Sequence, residues 1–268
     1  MNLQTPRLFP LATLLLAAAF STVVHAAEPL KIYGVEEAPG SYASNTGRPI
    51  GLTVDITTEI QRRVGNHDPV KIVPETMALE SARTQPNVVA FSFSRTAERE
   101  SQFHWITQVV RKPWVLYALK TSQMTASSLD DMRTIGKIGV VDGDVRAKYL
   151  QREEFSNLVI AADPEANIRN LLNGTVHAIF YEPAGVAFYC RKLKCENTLA
   201  HVYSPRSSDV YLLMSKGTDP KVVKAWQDAA AAMKADGTFD KIAKRWIFRS
   251  AIDFGIESSM DKGVVAFK

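Results

Sequence analysis

Val88-Val-Ala-Phe-Ser-Phe93 decides the fold, because this short apolar run has the length and composition of a buried strand. Working back towards the N-terminus, Met77–Arg83 is predicted to be a helix and Lys71–Pro74 a short strand. Asp55–Val64 has an apolar residue at every fourth position, which predicts a helix, and Leu30–Val35 alternates like a strand. This order of strand, helix, strand, helix and strand predicts a parallel sheet with crossover helices.

A second alternation of the same kind occupies the middle of the chain. The predicted strands are Trp114–Leu119, Lys137–Val141, Leu158–Ile160, Val176–Tyr181 and Val210–Met214, and the predicted helices begin at Ser128, pass through Tyr149 and Leu150, and span Ala166–Leu172 and Ala184–Lys192. Two successive alternations predict two α/β lobes.

The end of the chain has clear helix signals. Asp219 is predicted to cap a helix that begins at Pro220 and ends before Gly237. A last helix is predicted from Thr238 to Arg249. Beyond it the pattern weakens, and residues 250–268 are interpreted as a wrapping tail or a mobile end.

The first 26 residues are interpreted as a removed signal peptide. Arg7 precedes an almost unbroken apolar run, Leu8–Val24, which ends in Val24-His-Ala26 with small residues at the two positions that a signal peptidase reads. No later run is long enough to span a bilayer. We therefore expect residues 27–268 to be exported.

Composition and charge exclude some classes of function. The chain has 32 Lys and Arg against 28 Asp and Glu, and these are scattered along the sequence. A nucleic-acid-binding protein would instead cluster its basic residues on one face. The histidines are dispersed without metal-ligand spacing, and no phosphate-binding glycine loop is present, so no metal or cofactor is predicted.

Two cysteines lie five positions apart, at Cys190 and Cys195. In an oxidising compartment such a pair usually forms a disulfide. A regular helix would place the two residues on different faces, so the bridge requires a helix that ends between them.

Five segments, taken in order, give the chain a resemblance to a known family. They are Gly51-Leu-Thr-Val-Asp55, Ser94-Arg-Thr-Ala-Glu-Arg99 with Phe103-His-Trp105, Lys137-Ile-Gly-Val-Val141 with Gly143, Leu172-Asn-Gly-Thr-Val-His-Ala-Ile179, and Ala235-Asp-Gly-Thr-Phe-Asp-Lys-Ile242 with Arg245-Trp246. Together they resemble the signatures of the amino-acid-type periplasmic solute-binding proteins, the receptors of ABC importers. The resemblance implies a monomer with two α/β lobes and a two-strand hinge, with residues 27–118 and 209–268 in lobe 1 and 119–208 in lobe 2.

A free amino acid presents one carboxylate and one ammonium, and both must meet opposite charges to leave water. By the resemblance, Arg99 clamps the carboxylate, since a guanidinium can form two parallel hydrogen bonds with it. The alternative for Arg99 is a surface ion pair with Glu98 or Glu100. The resemblance also implies that the Ser94 hydroxyl binds the carboxylate and that the Ser92 carbonyl accepts from the ammonium; their alternative role is turn capping.

The second lobe is expected to contribute Glu182, which stands where the family keeps an Asp for the ammonium, and the N–H of Gly143. Asp142 and Asp144 flank this glycine, and exposed anions there would repel a bound carboxylate. Two interpretations stay open for these acids: they cap a helix and point to solvent, or the ligand carries an additional positive charge.

Apolar walls are expected from Tyr42 and Trp105, with Tyr181 a weaker candidate and Trp105 equally suited to the core. The predicted function is capture of a small zwitterionic ligand and delivery to the permease of an ABC importer. Two alternatives stay open: a periplasmic enzyme resembling cyclohexadienyl dehydratase, with Glu182 as general acid, and a ligand sensor for a membrane signalling protein.

Overall fold

A computed structural model describes Met1 and residues 28–267, so the predicted signal peptide lies outside the described residues except for Met1. The strands are β1 (Lys31–Gly34), β2 (Tyr42–Ala43), β3 (Pro49–Ile50), β4 (Val70–Ile72), β5 (Val88–Ser94), β6 (Phe103–Leu119), β7 (Ile138–Val141), β8 (Leu158–Ala161), β9 (Ala178–Tyr181), β10 (Leu199–Ser215), β11 (Ser258–Asp261) and β12 (Val264–Phe267). The helices are α1 (Leu52–Val64), α2 (Glu75–Thr84), α3 (Leu129–Thr134), α4 (Val145–Arg152), α5 (Pro164–Leu172), α6 (Pro183–Leu193), α7 (Pro220–Ala235) and α8 (Thr238–Phe254). Within this part of the chain, no helix is both long enough and apolar enough to cross a membrane.

One long sheet runs through both halves of the molecule, in the order β4-β1-β5-β10-β6-β9-β7-β8. At one end β1 pairs in parallel with β4 and β5, and at the other β7 pairs in parallel with β8 and β9. These are the two predicted alternations. Between them β6 and β10 pair antiparallel with each other and join the halves. The predicted α/β fold with two lobes and a two-strand hinge is therefore confirmed.

Both hinge strands are longer than predicted, with 17 residues each. This length could not be predicted from the apolar pattern, because charged residues and a proline interrupt it at the crossover. There Arg111 is in register with Asp209, and Pro113 with Ser207. The side chains from Trp114 onward pack in the cores of the second lobe. The predicted lobe boundary after residue 118 stays a prediction, and this packing favours a position nearer Arg111.

Two of the family-like segments meet in the core of the first lobe. Ile56 and Ile60 on α1 and Trp246 on α8 are buried in one apolar cluster. The Asp55 carboxylate accepts hydrogen bonds from Trp246 Nε1 at 2.6 Å and from Arg245 at 2.8 Å. These residues therefore serve the fold, by fastening α8 to α1.

The tail does not end with the last helix. α8 continues to Phe254, and β11 and β12 form a hairpin whose Val265 pairs in parallel with Val110 on β6. Arg111 ties this hairpin to both hinge strands, because its guanidinium donates to Asp209 at 2.9 Å and to Asp261 at 2.7 Å. Of the two interpretations, a wrapping tail is the one that the structure shows for residues up to 267.

Smaller predictions differ in outcome. Cys190 and Cys195 form a disulfide, because α6 ends at Leu193 and the left-handed residue Lys194 turns the chain back. The helix predicted to begin at Ser128 is α3, and Ser128 caps it with a reciprocal bond to Asp131. The sequence also predicts Thr96 to cap a helical segment that begins at Ala97, and this prediction is wrong, because Thr96 precedes a single 3₁₀ turn and makes no side-chain capping bond to it.

Candidate functional site

The site lies where four strands of the two lobes end. β1 runs into Glu36 and Glu37, β5 ends at Ser94, β7 runs into the turn at Gly143, and β9 is followed by Glu182. Ligands of open α/β sheets bind beyond the carboxyl ends of the strands. The two parallel halves therefore direct these four ends towards a common cleft.

The cleft has a volume of about 950 Å³, and a smaller inner pocket of about 40 Å³ lies beside the hinge. Residues of both lobes line the inner pocket: Glu37, Glu75, Ser92, Ser94, Arg99, Lys112, Asp144, Val145, Arg146, Ser208 and Val210. Three of the predicted site residues, Ser92, Ser94 and Arg99, line the inner pocket, and a fourth, Gly143, lines the outer cleft. The structure thus brings these four residues together.

Arg99 is buried, with 9% of its surface exposed, yet it forms no ion pair within the described residues. Its guanidinium makes one long contact, 3.4 Å to the Ser94 carbonyl, and lies 5.8 Å from the Phe93 ring. The neighbouring acids are engaged elsewhere, Glu98 with Arg152 and Glu100 with Arg95. Burial lowers the pKa of Arg99, but an arginine stays charged in proteins. Glu75 of the same pocket partly offsets the effect of burial on Arg99, but no carboxylate of the described residues lies within ion-pair distance of it. Arg99 is therefore a desolvated cation without a direct ion-pair partner.

Ser92 sits in a bulge of β5. Phe91 pairs with Leu212 and Phe93 pairs with Tyr211, so that Ser92 has no partner on β10. Its φ of 77° lies in the left-handed region that favours glycine. A bulge next to a site re-aims the backbone and the side chain. Here it lets Ser92 line both the outer cleft and the inner pocket.

The two aspartates in the turn after β7 differ in their surroundings. Gly143 adopts a left-handed conformation, Asp142 is exposed, and Asp144 caps α4 by accepting the backbone N–H of Arg146 at 2.7 Å. The Asp144 carboxylate also pairs with the Arg146 guanidinium, whose Nε lies 2.8 Å from Oδ1. Burial raises the pKa of Asp144, but Arg146 more than offsets this and holds it below its usual range. Asp144 is thus a neutralised helix cap.

Arg146 is itself packed into the wall of the cleft. Its guanidinium lies 4.2 Å from the centre of the Tyr181 ring, a cation–π distance, and only 7% of the residue is exposed. Burial of Tyr181 raises the pKa of its hydroxyl well above its ordinary value. The weaker aromatic candidate therefore lines the cleft, with an arginine stacked on it.

Glu182 lies behind the cleft. It is fully buried, lines neither the outer cleft nor the inner pocket, and caps α6 by accepting the backbone N–H groups of Ala184 at 2.9 Å and Gly185 at 2.5 Å. Burial raises the pKa of Glu182, and Lys112 partly offsets this effect. Both carboxylate oxygens of Glu182 therefore already have donors, and the role of the side chain is to cap the start of α6.

The two predicted aromatic walls also lie outside the cleft lining. Tyr42 packs edge-on against Trp246 and Phe254 on α8. Trp105 donates its Nε1–H to the Glu100 carbonyl at 3.2 Å and packs against Tyr211. Their apolar surfaces are used within the first lobe.

Four charged residues of the inner pocket were missed from the sequence: Glu37, Glu75, Lys112 and Arg146. Glu37 lies in the loop just beyond the end of β1, at Gly34, so a search of the loops that follow strand ends would have found it. Lys112 had no such signal, because the predicted strand began after it. Lys112 forms an ion pair with Glu37. Glu75 is in a different situation, because burial raises the pKa of its carboxyl group.

Two lobes joined by paired hinge strands, with a charged cleft between them, define a periplasmic-binding-protein fold. Residues 32–249 match the model of the bacterial extracellular solute-binding proteins, family 3, and the chain belongs to this family. The predicted resemblance is therefore confirmed.

Two relatives have been named by what they bind. The chain is 28% identical over 157 residues to the ABC transporter arginine-binding protein 1 of Escherichia coli (strain K12), a match that covers 56% of this chain and 62% of that protein. It is 22% identical over 223 residues to the amino-acid-binding protein AabA of Dichelobacter nodosus, covering 79% of this chain and 84% of that protein.

Among solved structures, the fold is similar to a histidine kinase sensor domain that itself resembles periplasmic binding proteins. The TM-score is 0.74 at 16% identity, over 82% of this chain and 96% of that chain. At this identity the likeness concerns the fold alone.

Proposed function

We propose that this protein captures a free amino acid in the periplasm, in the cleft between its lobes, and delivers it to the permease of an ABC importer. The observation that carries the proposal is Arg99, a buried guanidinium in the inner pocket with no carboxylate partner among the described residues. Leaving a buried charge unpaired is costly, and a ligand carboxylate would remove that cost. The family and the names of its two relatives support an amino acid as the ligand.

In this proposal the ligand carboxylate takes two parallel hydrogen bonds from Arg99. Ser94, at the end of the same strand, adds its hydroxyl, and the backbone N–H of Gly143 reaches the ligand from the second lobe. The carbonyl of Ser92, a residue that the bulge leaves without a partner on β10, accepts from the ammonium. Because these groups come from both lobes, the bound ligand stabilises the closed cleft.

The ligand side chain is proposed to carry a positive charge. Among the residues that line the outer cleft, seven are acidic and four are basic. Glu75 has no hydrogen-bond partner in the described structure, and burial together with the nearby Glu37 and Asp144 raises its pKa. A cationic group beside Glu75 would relieve this repulsion. The name of the arginine-binding relative supports the same class.

Thermal unfolding of the purified protein with each of the twenty L-amino acids tests the proposal. At a concentration of 100 times the dissociation constant, a ligand adds about 2.7 kcal/mol to the free energy of unfolding. We expect L-arginine or L-lysine to raise the melting temperature by about 5 °C or more, and L-glutamate to leave it unchanged. A protein whose melting temperature no amino acid raises would contradict the proposal.

Two alternatives have direct tests. The second candidate is a ligand sensor for a membrane signalling protein, and co-purification from membranes distinguishes it, since a captured permease supports import and a captured signalling receptor supports sensing. A dehydratase would release a keto acid or phenylalanine from prephenate or arogenate. We expect no such release, because Glu182 lies behind the cleft with both oxygens bonded to the backbone.

A further inference from the structure

Glu37 carries a buried oxygen atom without a hydrogen-bond donor. Its Oε1 forms an ion pair with Lys112 Nζ, whereas its Oε2 is buried and has no partner within the described residues. A buried carboxylate oxygen accepts hydrogen bonds in almost every stable structure, because leaving it unsatisfied costs free energy. The unused oxygen therefore indicates a position where a donor is missing.

The missing donor belongs to the ligand site. Glu37 lines both the outer cleft and the inner pocket, and Arg99 and Ser92 do the same. Glu37 follows β1, and Ser92 lies on β5, which pairs directly with β1. The buried cation without an ion-pair partner and the buried carboxylate oxygen without a donor are thus on one wall, in the lobe that holds Arg99.

The other acids of the site fit the role less well. Glu182 already accepts two backbone N–H groups and lines neither part of the cleft. Asp144 is bound by Arg146. Glu75 is surrounded by cleft residues but keeps much of its surface accessible to solvent, and it makes no hydrogen bond within the described residues that would hold its side chain in place. Glu37, by contrast, is held by Lys112, of which only 6% is exposed.

We propose that Glu37 is the acceptor for the ammonium of the bound amino acid, and that Lys112 is the residue that positions it. This inference rests on the proposed function. Lys112 binds one oxygen and fixes the carboxylate of Glu37, and the second oxygen faces the ammonium. Because the Glu37 side chain is already held in place, binding costs little of its conformational entropy. Lys112 lies on the hinge strand β6, opposite Ser208 on β10, so the acceptor is anchored at the crossover between the lobes.

The test compares an amino acid with the same molecule lacking its α-amino group, by isothermal titration calorimetry. The probes are L-arginine and 5-guanidinopentanoate. We expect the wild-type protein to bind L-arginine at least about 30-fold more tightly, because the analogue leaves a buried acceptor unpaired. In Glu37→Gln this preference should fall to within about threefold. Glu80→Gln, which removes another carboxylate from the cleft lining, should keep the full preference.

Glu37→Gln also leaves Lys112 without its counter-ion, so the double variant E37Q/K112M serves as a second test. It removes both charges, and we expect it to lose the same preference while unfolding at a temperature close to that of the wild type. A purely structural role for Glu37 would instead restore the preference in the double variant, and would overturn the inference.

Two other outcomes would also overturn it: Glu37→Gln keeping the 30-fold preference, or Glu182→Gln losing it. The wild-type titration separates these failures from failure of the proposed function. If the wild-type protein binds no amino acid, the proposed function fails together with the inference. If it binds L-arginine and Glu37→Gln does not alter the preference, only the inference fails.

Discussion

Ser92 gives a sharp test of how the site is built, because the bulge holds a residue with a side chain in a backbone conformation that glycine prefers. A residue other than glycine pays about 1–2 kcal/mol there, and glycine itself costs about 0.5–1 kcal/mol in chain entropy. Ser92→Gly and Ser92→Ala both remove the hydroxyl, whose contact with Ser41 is 3.2 Å long. They differ only in Cβ, so the backbone alone should make Ser92→Gly more stable than Ser92→Ala by about 0.5–1 kcal/mol.

Urea unfolding of the two variants without ligand measures this difference, and the wild type fixes the small contribution of the hydroxyl. Ser92→Ala equalling or exceeding Ser92→Gly in stability would refute the assignment of strain to the bulge. If the strain serves binding, Ser92→Gly should also bind L-arginine more weakly, because a more flexible bulge holds its carbonyl less firmly.

Three further predictions concern other parts of the molecule. Replacing Cys190 and Cys195 by Ala should lower the free energy of unfolding by about 2 kcal/mol, since the bridge closes a short loop, and reduction of the wild type should give the same loss in a urea titration. Asp55→Ala should cost about 2 kcal/mol in the same assay, because the buried indole N–H of Trp246 loses its acceptor, and an unchanged midpoint would remove that contact from the account. L-Arginine binding should weaken as the pH falls from 7 towards 5, because the raised pKa of Glu75 means that it is protonated, and loses its attraction for a cation, at a higher pH than an ordinary glutamate. Glu75→Gln should flatten this pH profile, and a variant profile as steep as that of the wild type would assign the titration to another group.

Much of the fold follows from local patterns. Apolar strands such as Val88–Phe93 alternate with amphipathic helices, and that order permits few arrangements. Even the disulfide could be predicted, since only a helix ending between Cys190 and Cys195 allows it. The C-terminal hairpin could not, because Val265 and Ala266 pair with β6, far away in the sequence.

The site was less predictable for a related reason. The resemblance singled out Arg99 and Ser92, and both residues do line the cleft. It could not show that Glu182 caps a helix, because the same acid at a helix start can face a ligand or the backbone. It also could not find Lys112, whose importance comes from its ion pair with Glu37, 75 positions away along the chain.

The central claim is that Arg99 holds the carboxylate of a bound amino acid. Calorimetric titration of L-arginine into Arg99→Ala tests it most directly, with Arg95→Ala as a matched control, since Arg95 pairs with Glu100 and does not line the cleft. We predict that Arg99→Ala loses at least about 30-fold in affinity, because truncating one member of a buried charge pair costs about 2–5 kcal/mol, while Arg95→Ala and the wild type bind alike. Equal affinity in Arg99→Ala and the wild type, with both folded, would contradict the account.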